Sequence, residues 1–513
     1  MKVVTAEQMR HLDRRATEDY AVPSLLLMEN AGIRVFVAVA RLLEDAPDAS
    51  VLVICGKGNN GGDGFVVARH LQDAGMRVTI ALAADPEEIR GDAHTNLEIA
   101  FRMNIPALQV MEIVDLCEPL AECELVVDAL FGTGMKGEAA GLAAEIVDAI
   151  NDSGKTVVSV DLPSGLNADT GEVGEHCVWA DETVTFAAPK IGLVTYPGAK
   201  YVGRLTVGDI GIPEPLLSHP SLKVELMQDD LIREMLPDRE PDAHKGTFGH
   251  LLVLAGSVGM TGAAALASEA AARVGAGLVT LGCPWSLNDI LEAKLTEVMT
   301  IPLPESAARS LAPDAVDVLK PLLARCNSVA IGPGISQHAD TARFLRTLLS
   351  KLESPVVIDA DALNALAGEA ALLSGLAAPA VITPHPGEMA RLMGTSSAAI
   401  QSDRLKAATE AAAKLGVVVV LKGARTVIAA PDGQTFINPT GNVGMAAGGM
   451  GDVLTGAIGG FLAQGLSPLK AAICGVYIHG MAGDMAAEEL GLAGLMASDL
   501  LLNLPKAIKA LAE

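Results

Sequence analysis

Aromatic residues are scarce in this chain, since Phe, Trp and Tyr together make up only 3% of its 513 residues. Half of the residues are nevertheless hydrophobic, so alanine, glycine and aliphatic side chains must fill the interior. Small side chains suit helices that pack closely on sheets, which favours layered α/β architecture. The length also exceeds what one hydrophobic core usually organises. We therefore expect two domains.

Basic residues are also few, with 37 Lys and Arg against 62 Asp and Glu, a formal net charge of −25. This balance disfavours nucleic acid and anionic membrane as partners. The N-terminus lacks the hydrophobic region of a signal peptide. The most apolar stretch, 453–469, contains four glycines, Gln464, Ser467 and Pro468, which is too polar and broken to span a membrane. We expect a cytoplasmic enzyme that acts on small molecules.

Cysteine is used sparingly and without pattern. The seven cysteines are scattered and odd in number, with no CxxC pair and no zinc-type spacing. This usage is typical of a reducing compartment, and it predicts buried structural thiols.

Short apolar runs alternate with helical patterns, which indicates parallel sheets covered by helices on both faces. The first half predicts strands at 51–55, 78–82, 125–128, 156–161, 182–187 and 204–210, and helices at 6–18, 24–43, 65–74 and 142–151. The second half predicts strands at 250–255, 278–282, 328–332, 355–359, 380–383 and 417–422, and helices at 263–274 and from Val453 onward.

Residues 211–245 separate the two series and are rich in proline, with an acidic cluster near 238–242. Such composition is typical of a connector at the surface. We predict an N-terminal domain at 1–212, a connector at 213–243 and a C-terminal domain at 244–513, both domains being α/β. No internal repeat joins the two halves.

The glycine-rich segment 56–64 (GKGNNGGDG) follows the first strand of the alternating series and leads into a helix. Backbone N–H groups at such a position bind anions. The segment is neither the dinucleotide fingerprint nor a Walker loop, because Asp63 and Gly64 stand where Lys-Ser would be. A tight structural turn is the alternative, but its asparagines and aspartate exceed what a turn needs. We interpret the segment as a ligand-binding loop.

Two further carboxylates, Asp128 and Asp161, stand at the ends of predicted strands. A single aspartate there often caps the next helix. In a parallel sheet, however, both would emerge at the same edge as the glycine loop. Oxygens of Asn60, Asp128 and Ser164 would suit a hard, weakly bound cation. Asp161 is then the better candidate for acid–base work.

The strings GKGNNGGDG, DALFGTG (128–134) and DLPSG (161–165) occur in the order found in NAD(P)H-hydrate epimerase domains, which the first half resembles. The resemblance implies a Rossmann-like fold, potassium at Asn60, Asp128 and Ser164, and Asp161 as the acid–base group. The implied substrate contacts are Asn59, Asn60, Gly61, Gly62, Asp63, Gly132, Thr133, Gly134, Met135, Lys136, Gly137, Glu138 and Asp161.

The second half contains the glycine-rich segment 438–452 (NPTGNVGMAAGGMGD), which precedes a helical stretch. Its glycines and the first turn of the helix would receive a phosphate. A carboxylate beside an anion is unfavourable unless it transfers a proton. We therefore predict a phosphate-handling site with Asp452 beside the anion.

Four shorter motifs each allow two interpretations. Segment 256–262 is either a second anion loop or a packing turn. Asp359 and Asp361 form a Mg²⁺-phosphate site or a helix cap. His385 lies between two prolines, which favours a substrate contact over a structural role. Lys422 either touches a nucleotide phosphate or is solvated.

Together these motifs resemble the ribokinase-like ADP-dependent NAD(P)H-hydrate dehydratases. The resemblance implies that ADP phosphorylates the C6 hydroxyl of the hydrate, with Asp452 as base, to give NAD(P)H, AMP and phosphate. We expect Mg²⁺ in this domain and a homo-oligomer. The implied hydrate contacts are Ala263, Gly334, His385 and Asp452. The implied ADP contacts are Lys422, Gly423, Ala424, Arg425, Thr426, Asn442, Gly444, Met445, Ala446, Gly448, Gly449 and Gly451.

Two other functions fit part of the pattern. The first is a vitamin-precursor or sugar kinase with an accessory binding domain, since a GxGD aspartate serves that chemistry equally. The second is a non-catalytic module, which would not need to keep the oxygen-bearing residues of the first half.

Overall fold

The computed structural model describes residues 1–46, 48–135 and 137–513. The chain forms two compact units, Met1–Val224 and Glu225–Glu513. The division falls inside the segment 213–243 for which we predict a connector. That segment is not plain coil, because it contains helices at Glu214–Leu217 and Asp229–Arg233 and a strand at Val224–Leu226. The functional domain limits remain a prediction.

The first unit is built on a seven-stranded sheet. Its strands are β2 (Ser50–Cys55), β3 (Arg77–Leu82), β4 (Ala107–Gln109), β5 (Leu125–Ala129), β6 (Thr156–Val160), β7 (Glu182–Phe186) and β8 (Arg204–Gly208), and a further short strand, β1 (Lys2–Val3), lies outside this sheet. Its helices are α1 (Ala6–Tyr20), α2 (Ser24–Leu42), α3 (Asn59–Asp73), α4 (Gly91–Arg102), α5 (Cys117–Glu122), α6 (Leu142–Asp152), α7 (Ile191–Val194) and α8 (Glu214–Leu217).

The sheet has the order β4-β3-β2-β5-β6-β7-β8, and its neighbouring strands are parallel. This is the strand order of a Rossmann-type sheet, as predicted, with one further strand at its end. The order reverses between β2 and β5, so the crevice beyond their carboxyl ends is the expected ligand site. Thr5 caps α1 as predicted, with a capping box to Gln8.

The second unit contains a larger sheet. Its strands are β9 (Val224–Leu226, which spans the division), β10 (His250–Leu254), β11 (Leu278–Pro284), β12 (Met299–Leu303), β13 (Ser328–Ile331), β14 (Val356–Ile358), β15 (Ala380–Ile382), β16 (Val418–Leu421), β17 (Val427–Ala429) and β18 (Thr435–Ile437). Its helices are α9 (Asp229–Arg233), α10 (Thr261–Arg273), α11 (Asn288–Lys294), α12 (Ala315–Leu323), α13 (Ala339–Leu349), α14 (Ala360–Ala365), α15 (Ala371–Ser374), α16 (Pro386–Met393), α17 (Ser397–Ser402), α18 (Arg404–Leu415), α19 (Met450–Ala463), α20 (Pro468–Leu490) and α21 (Ala497–Ala512).

The order across this sheet is β18-β17-β16-β15-β14-β13-β10-β11-β12. Strands β10 to β16 are parallel to their neighbours, whereas β17 and β18 are antiparallel. From β10 the sheet continues through β11 and β12 on one side and through β13 to β16 on the other. The strand order therefore reverses between β10 and β13, which is a second topological switch point.

Small residues let helices pack closely in the second unit, as the composition predicts. A Cβ at Gly456 of α19 would lie 2.0 Å from the carbonyl oxygen of Ala267 on α10, and one at Gly460 would lie 2.9 Å from that of Ala271. These distances exclude any larger side chain, so the two helices require glycine where they touch.

The seven cysteines are all free. Six of them are buried, but Cys117 is exposed, so the prediction of buried thiols is wrong at that position. None of the helices in the described part of the chain is both long enough and apolar enough to cross a membrane.

Candidate active sites

The glycine segment of the first unit is mostly helical rather than a loop. Helix α3 begins at Asn59, six residues before the predicted start, so Asn59–Asp63 form its first turn. The glycines are needed for close packing: a Cβ at Gly56 would lie 2.1 Å from Leu130 O, and one at Gly61 only 1.9 Å from Gly56 O. The helix N-terminus therefore opens at the β2–β5 switch point, where an anion would be stabilised.

Asp128 lies at the end of β5 and is fully buried. Its Oδ1 accepts a hydrogen bond from Ser164 Oγ at 2.6 Å, and its Oδ2 accepts from Ser159 Oγ and Ser164 N, both at 2.9 Å. Burial raises the pKa of Asp128, and the hydrogen bonds from Ser164 and Ser159 oppose that rise. The structure thus brings Asp128 and Ser164 together as the sequence predicts.

The side chain of Asn60 is buried, and among the described residues neither its oxygen nor its nitrogen has a hydrogen-bond partner. A Cβ at Gly132 would lie 3.1 Å from Asn60 Oδ1, and Ser164 Oγ accepts from the neighbouring Phe131 N at 2.9 Å. An unsatisfied buried amide is costly. Its place beside the Asp128–Ser164 pair therefore points to a ligand or cation there.

Residues 132–135, 137 and 138 follow β5 at the same sheet edge. Met135 N donates to Gly132 O at 3.2 Å, and Arg10 Nη1 of α1 donates to Thr133 O at 3.2 Å. Glu138 lies against the backbone at Gly174. Lys136, which the resemblance also implies, lies outside the described residues.

Asp161 follows β6 in a left-handed conformation with φ of +64°, which strains any residue other than glycine. Its Oδ1 accepts from Lys190 Nζ at 2.5 Å and from Thr185 Oγ1 at 3.0 Å. Only 1% of the Lys190 side chain is exposed. A strained, ion-paired carboxylate at a sheet edge is typical of a functional site.

Sequence reasoning missed Lys190 and Asp13. Burial raises the pKa of Asp13 to about 6. The charge of Asp161 adds to this rise, and the charge of Lys190 opposes it. Burial also raises the pKa of Asp63 well above its usual range, and the charge of Asp161 adds to the effect. Nothing local in the sequence distinguishes a buried lysine from the many solvated ones, because its partners are distant along the chain.

In the second unit, the loops after β10 and β13 meet at the switch point. Gly256 N donates to Pro333 O at 3.0 Å. A Cβ at Gly334 would lie 3.3 Å from that of Ala263 and 2.6 Å from that of Met260. The structure therefore places Ala263 and Gly334 side by side, although they are 71 positions apart in the sequence (334 − 263).

The sequence predicts that Asp452 directly precedes a helix. In the structure, helix α19 begins at Met450, so Asp452 lies in its first turn. Gly449 precedes the helix with φ of +91°, a conformation that favours glycine. Burial raises the pKa of Asp452 to about 6, with Asp359 adding to the rise and Lys422 opposing it. A carboxylate with such a pKa is suited to general base catalysis.

Lys422 is not a solvated lysine, so that alternative is wrong. Its Nζ lies 2.6 Å from Asp359 Oδ1 and 3.8 Å from Glu388 Oε2. A Cβ at Gly451 would lie 3.4 Å from the same nitrogen, so the ammonium is adjacent to the first turn of α19. Burial acts to lower the pKa of Lys422, but the charges of Asp359 and Glu388 outweigh it and raise the pKa.

The helix-cap interpretation of Asp359 is wrong, whereas its part in a Mg²⁺-phosphate site remains a prediction. It precedes α14 without capping that helix, and its second oxygen accepts from Thr455 Oγ1 at 2.7 Å. Both oxygens are thus occupied by protein donors. Asp361 accepts from Ser336 N and from Gln337, each at 3.1 Å.

His385 caps α16 and remains half-exposed. Its Nδ1 accepts from Gly387 N at 3.0 Å, and its Nε2 lies 3.5 Å from Glu388 Oε1. Glu388 Oε2 accepts from His385 N at 2.8 Å and fixes the turn. The imidazole is therefore held in place at the start of α16, with about half of its side chain exposed.

The segments 422–426 and 442–451 are fixed by residues that sequence reasoning missed. Asp484 of α20 accepts from Gly441 N at 2.8 Å and from Asn442 Nδ2 at 2.9 Å. Arg404 of α18 donates to Leu421 O at 3.0 Å and to Ala424 O. Gly448 has open space around it. The remaining predicted contacts of these segments are Gly423, Arg425, Thr426, Gly444, Met445, Ala446 and Gly449.

The geometry defines a two-domain α/β enzyme with a strand-edge site in each unit, one built on a strained ion-paired carboxylate and one on a glycine-rich helix N-terminus with an adjacent lysine. Family models agree with this division. Residues 24–192 match the family described as YjeF-related protein N-terminus, and residues 251–506 match NAD(P)H-hydrate dehydratase.

Whole-chain relatives carry both halves. The chain is 50% identical over 519 aligned positions to a bifunctional NAD(P)H-hydrate repair enzyme from Moorella thermoacetica, covering 100% of this chain and 98% of the relative. It is 43% identical to the enzyme of that name from Thermofilum pendens, covering 100% and 97%. The chain belongs to the family of bifunctional NAD(P)H-hydrate repair enzymes.

Solved structures resemble the second unit. An ADP/ATP-dependent NAD(P)H-hydrate dehydratase from Bacillus subtilis, co-crystallised with ATP and Mg²⁺, is 33% identical, covers 56% of this chain and 99% of that chain, and has a TM-score of 0.49.

Proposed function

We propose that the chain restores NADH and NADPH from their hydrates in two steps. The N-terminal unit interconverts the R and S epimers, and the C-terminal unit dehydrates the S form at the expense of ADP, which becomes AMP and phosphate. Membership of the bifunctional family supports both activities. The observation that carries the dehydratase assignment is Asp452, set in the first turn of α19 within reach of the Lys422 charge.

The dehydratase step needs a base, a phosphate site and a hydroxyl acceptor. Asp452 takes the proton of the C6 hydroxyl, whose oxygen then attacks the β-phosphorus of ADP and releases AMP. The amides at the start of α19 and the Lys422 ammonium stabilise the transferred phosphoryl group. Loss of phosphate from C6 and of a proton from C5 forms the C5–C6 double bond of the dihydropyridine.

Two loops supply the proposed ADP site. Segment 422–426 presents Lys422 and backbone groups that Arg404 holds in place. Segment 442–451 ends in the first turn of α19, whose amides would face the anion. Asp484 holds the start of the segment, and Gly444 N donates to Asn442 Oδ1 at 3.0 Å. The hydrate would lie at the switch point against Ala263 and Gly334, with His385 as a further contact.

The proposed Mg²⁺ fits this unit only together with the nucleotide. Among the described residues, no group of three His, Cys, Asp or Glu side chains is placed to hold a metal ion. The two oxygens of Asp359 are already engaged by Lys422 and Thr455. We therefore expect the phosphates of ADP to supply most ligands of Mg²⁺, as is common for this ion.

In the first unit, Asp161 is the proposed acid–base group, and the first turn of α3 with residues 132–138 holds the substrate. Asn60, Asp128 and Ser164 fit a potassium ion, because Asn60 offers a buried oxygen without a partner among the described residues and Asp128 a negative charge. Bound potassium would neutralise charge and order the loop beside the substrate. The side chains named here hold the hydrate and move its protons.

An NADH-regeneration assay on a mixture of the R and S hydrates tests the proposal, with ADP, ATP or no nucleotide and with potassium varied. We expect both epimers to be converted to NADH with ADP, and the R form to react faster than it epimerises spontaneously. A stable phosphorylated product without NADH would instead indicate a small-molecule kinase. Homo-oligomerisation and cytoplasmic location remain predictions, which sedimentation and fractionation would test.

A further inference from the structure

A buried cluster of charges lies beside the epimerase site. Asp63 of α3, Asp161 after β6 and Lys190 after β7 are each at least nine-tenths buried, and Asp13 of α1 joins them electrostatically. Three carboxyl groups thus interact electrostatically with the one charge of Lys190. Since like charges cannot all ionise in a buried site, the cluster must divide its protons unequally.

Lys190 makes three hydrogen bonds within the protein. Its Nζ donates to Asp161 Oδ1 at 2.5 Å, to Thr185 Oγ1 at 3.0 Å and to Phe186 O at 3.4 Å. Three acceptors match the three N–H groups of an ammonium. The protein thus engages every N–H group of Lys190 and leaves none for the substrate.

The two oxygens of Asp161 are not equivalent. Oδ1 accepts from both Lys190 and Thr185, whereas no hydrogen bond from any described residue reaches Oδ2. About 12% of the side chain is exposed. One oxygen is thus anchored, and the other is left for a ligand. The anchoring also helps to hold the strained backbone of Asp161 in place.

We propose that Lys190 is a positioning residue of the epimerase site, which holds Asp161 by Oδ1 as the base with Oδ2 available, and that the buried carboxyl of Asp63 is the proton donor. This inference rests on the proposed epimerase function. It goes beyond it by assigning the two ends of the proton transfer to different side chains.

Asp63 suits the role of acid because it differs from Asp161 in its partners. Its carboxyl accepts no hydrogen bond from the described residues, and no cation pairs with it. Burial and the charge of Asp161 raise its pKa well above the usual range. Two nearby carboxyls whose environments separate them in this way are a recurring acid–base arrangement.

The step balances without any oxidant. Asp161 takes the proton of the C6 hydroxyl, and the C6–O bond becomes a carbonyl. The N1–C6 bond breaks, its electron pair goes to N1, and Asp63 gives its proton to that nitrogen. Rotation about the C5–C6 bond and the reverse steps close the ring on the opposite face.

The test uses the full chain with Lys190→Met, Lys190→Arg and Asp63→Asn, and Lys155→Met as a partly exposed control. Epimerisation and dehydration of the S form are measured separately. We expect Lys190→Met and Asp63→Asn to lower kcat of epimerisation by about 10²-fold, as for loss of acid–base catalysis. KM should change by less than about threefold, since uniform binding is retained. Lys190→Arg should recover part of kcat, and dehydration should stay normal.

Lys190→Met leaves a buried carboxylate unpaired and can destabilise the unit, so Asp161→Asn/Lys190→Met is compared with Asp161→Asn. We expect the double variant to lose nothing further, because Lys190 acts through Asp161. An additional loss of kcat, or wild-type epimerisation in Lys190→Met, would overturn its positioning role. Wild-type kcat in Asp63→Asn would overturn the acid. A wild-type chain that does not accelerate epimerisation would refute the proposed function itself.

Discussion

Each unit contains an ion pair between a lysine and an aspartate that follows a strand, but the proposed roles of the two pairs differ. Lys190 Nζ lies 2.5 Å from Asp161, and Lys422 Nζ lies 2.6 Å from Asp359. In the first unit the paired carboxylate is itself the proposed acid–base group. In the second unit the lysine is proposed to stabilise the phosphoryl group, and the proposed base is a third residue, Asp452, which forms no ion pair with any described residue.

The difference follows from what each site must bind. The second site receives phosphate, so its lysine is best placed beside the anion hole, and burial raises the pKa of its separate carboxylate, Asp452, to about 6, which suits a general base. The first site rearranges one ring with no phosphoryl transfer, so its lysine is free to stabilise the base directly. The same pair of residue types is thus used once to hold a base and once to hold an anion.

We expect Asp452→Asn to have the largest effect of the variants. A small effect would contradict the assignment of different bases to the two units. Removing the base should lower kcat of dehydration by about 10³- to 10⁴-fold, while epimerisation continues normally. NADH formation from the S hydrate with ADP measures the first activity, and chromatographic separation of the epimers measures the second. Asp317→Asn, an exposed aspartate of α12, is the control. Near-normal dehydration in Asp452→Asn would remove it as base.

Asp161→Asn should give the mirror result. We expect epimerisation to fall by about 10²- to 10³-fold, with dehydration of the S form unchanged, because the second unit keeps its own base. Exposed Asp148→Asn is the matched control. If the variant still consumes the R hydrate at the original rate, faster than spontaneous interconversion, Asp161 is not the base.

Asn60→Ala sharpens the comparison by testing whether only the first unit uses potassium. Loss of the free amide oxygen should raise the potassium concentration needed for half-maximal epimerisation by about 10- to 100-fold, by analogy with other ligand losses. Dehydration should not respond. Asn96→Ala, a buried amide of α4, is the control. An unchanged potassium response would place the ion elsewhere.

Asp484→Asn should have a smaller effect, confined to nucleotide binding. Loss of two hydrogen bonds to the 441–442 turn costs roughly 1 to 2 kcal/mol, so KM for ADP should rise about 5- to 30-fold while kcat and epimerisation stay nearly constant. The exposed Asp317→Asn again serves as control. A fall in kcat without a change in KM would contradict a role in the ADP loop.

The smallest expected effect is a shift in the pH dependence of dehydration, which reports the pKa of Asp452. Because Asp452 must be ionised to act, kcat/KM should fall as pH drops through about 6. Asp359→Asn removes a charge that raises the pKa of Asp452, so the fall should move to lower pH. A profile that stays in place in Asp359→Asn would show that Asp359 does not tune Asp452.

Much of the fold could be predicted from local patterns. The apolar runs of β2, β5 and β10 are strands as predicted, and the Rossmann-type order is confirmed. Helix α3 was predicted to start too late, because glycine has low helix propensity. Contacts such as that of Gly61 with the Gly56 carbonyl explain its glycines, and such contacts leave no periodic signal.

The sites were only partly predictable for a related reason. Asp161, Asp128 and Asp452 follow strands or open helices within motifs, so the sequence indicates them directly. Lys190 and Asp484 act through partners 29 and 42 or more positions away, and nothing in their own neighbourhood marks them. The roles of the individual site residues remain predictions until variants are measured.

The most direct test of two independent proton-transfer sites is to mix the Asp161→Asn and Asp452→Asn chains and supply only the R hydrate with ADP. The first chain can still dehydrate, and the second can still epimerise. We expect the mixture to form NADH far faster than either chain alone, at a rate that approaches the wild type as protein is added. A mixture no faster than Asp161→Asn alone would contradict the division of work between the two units.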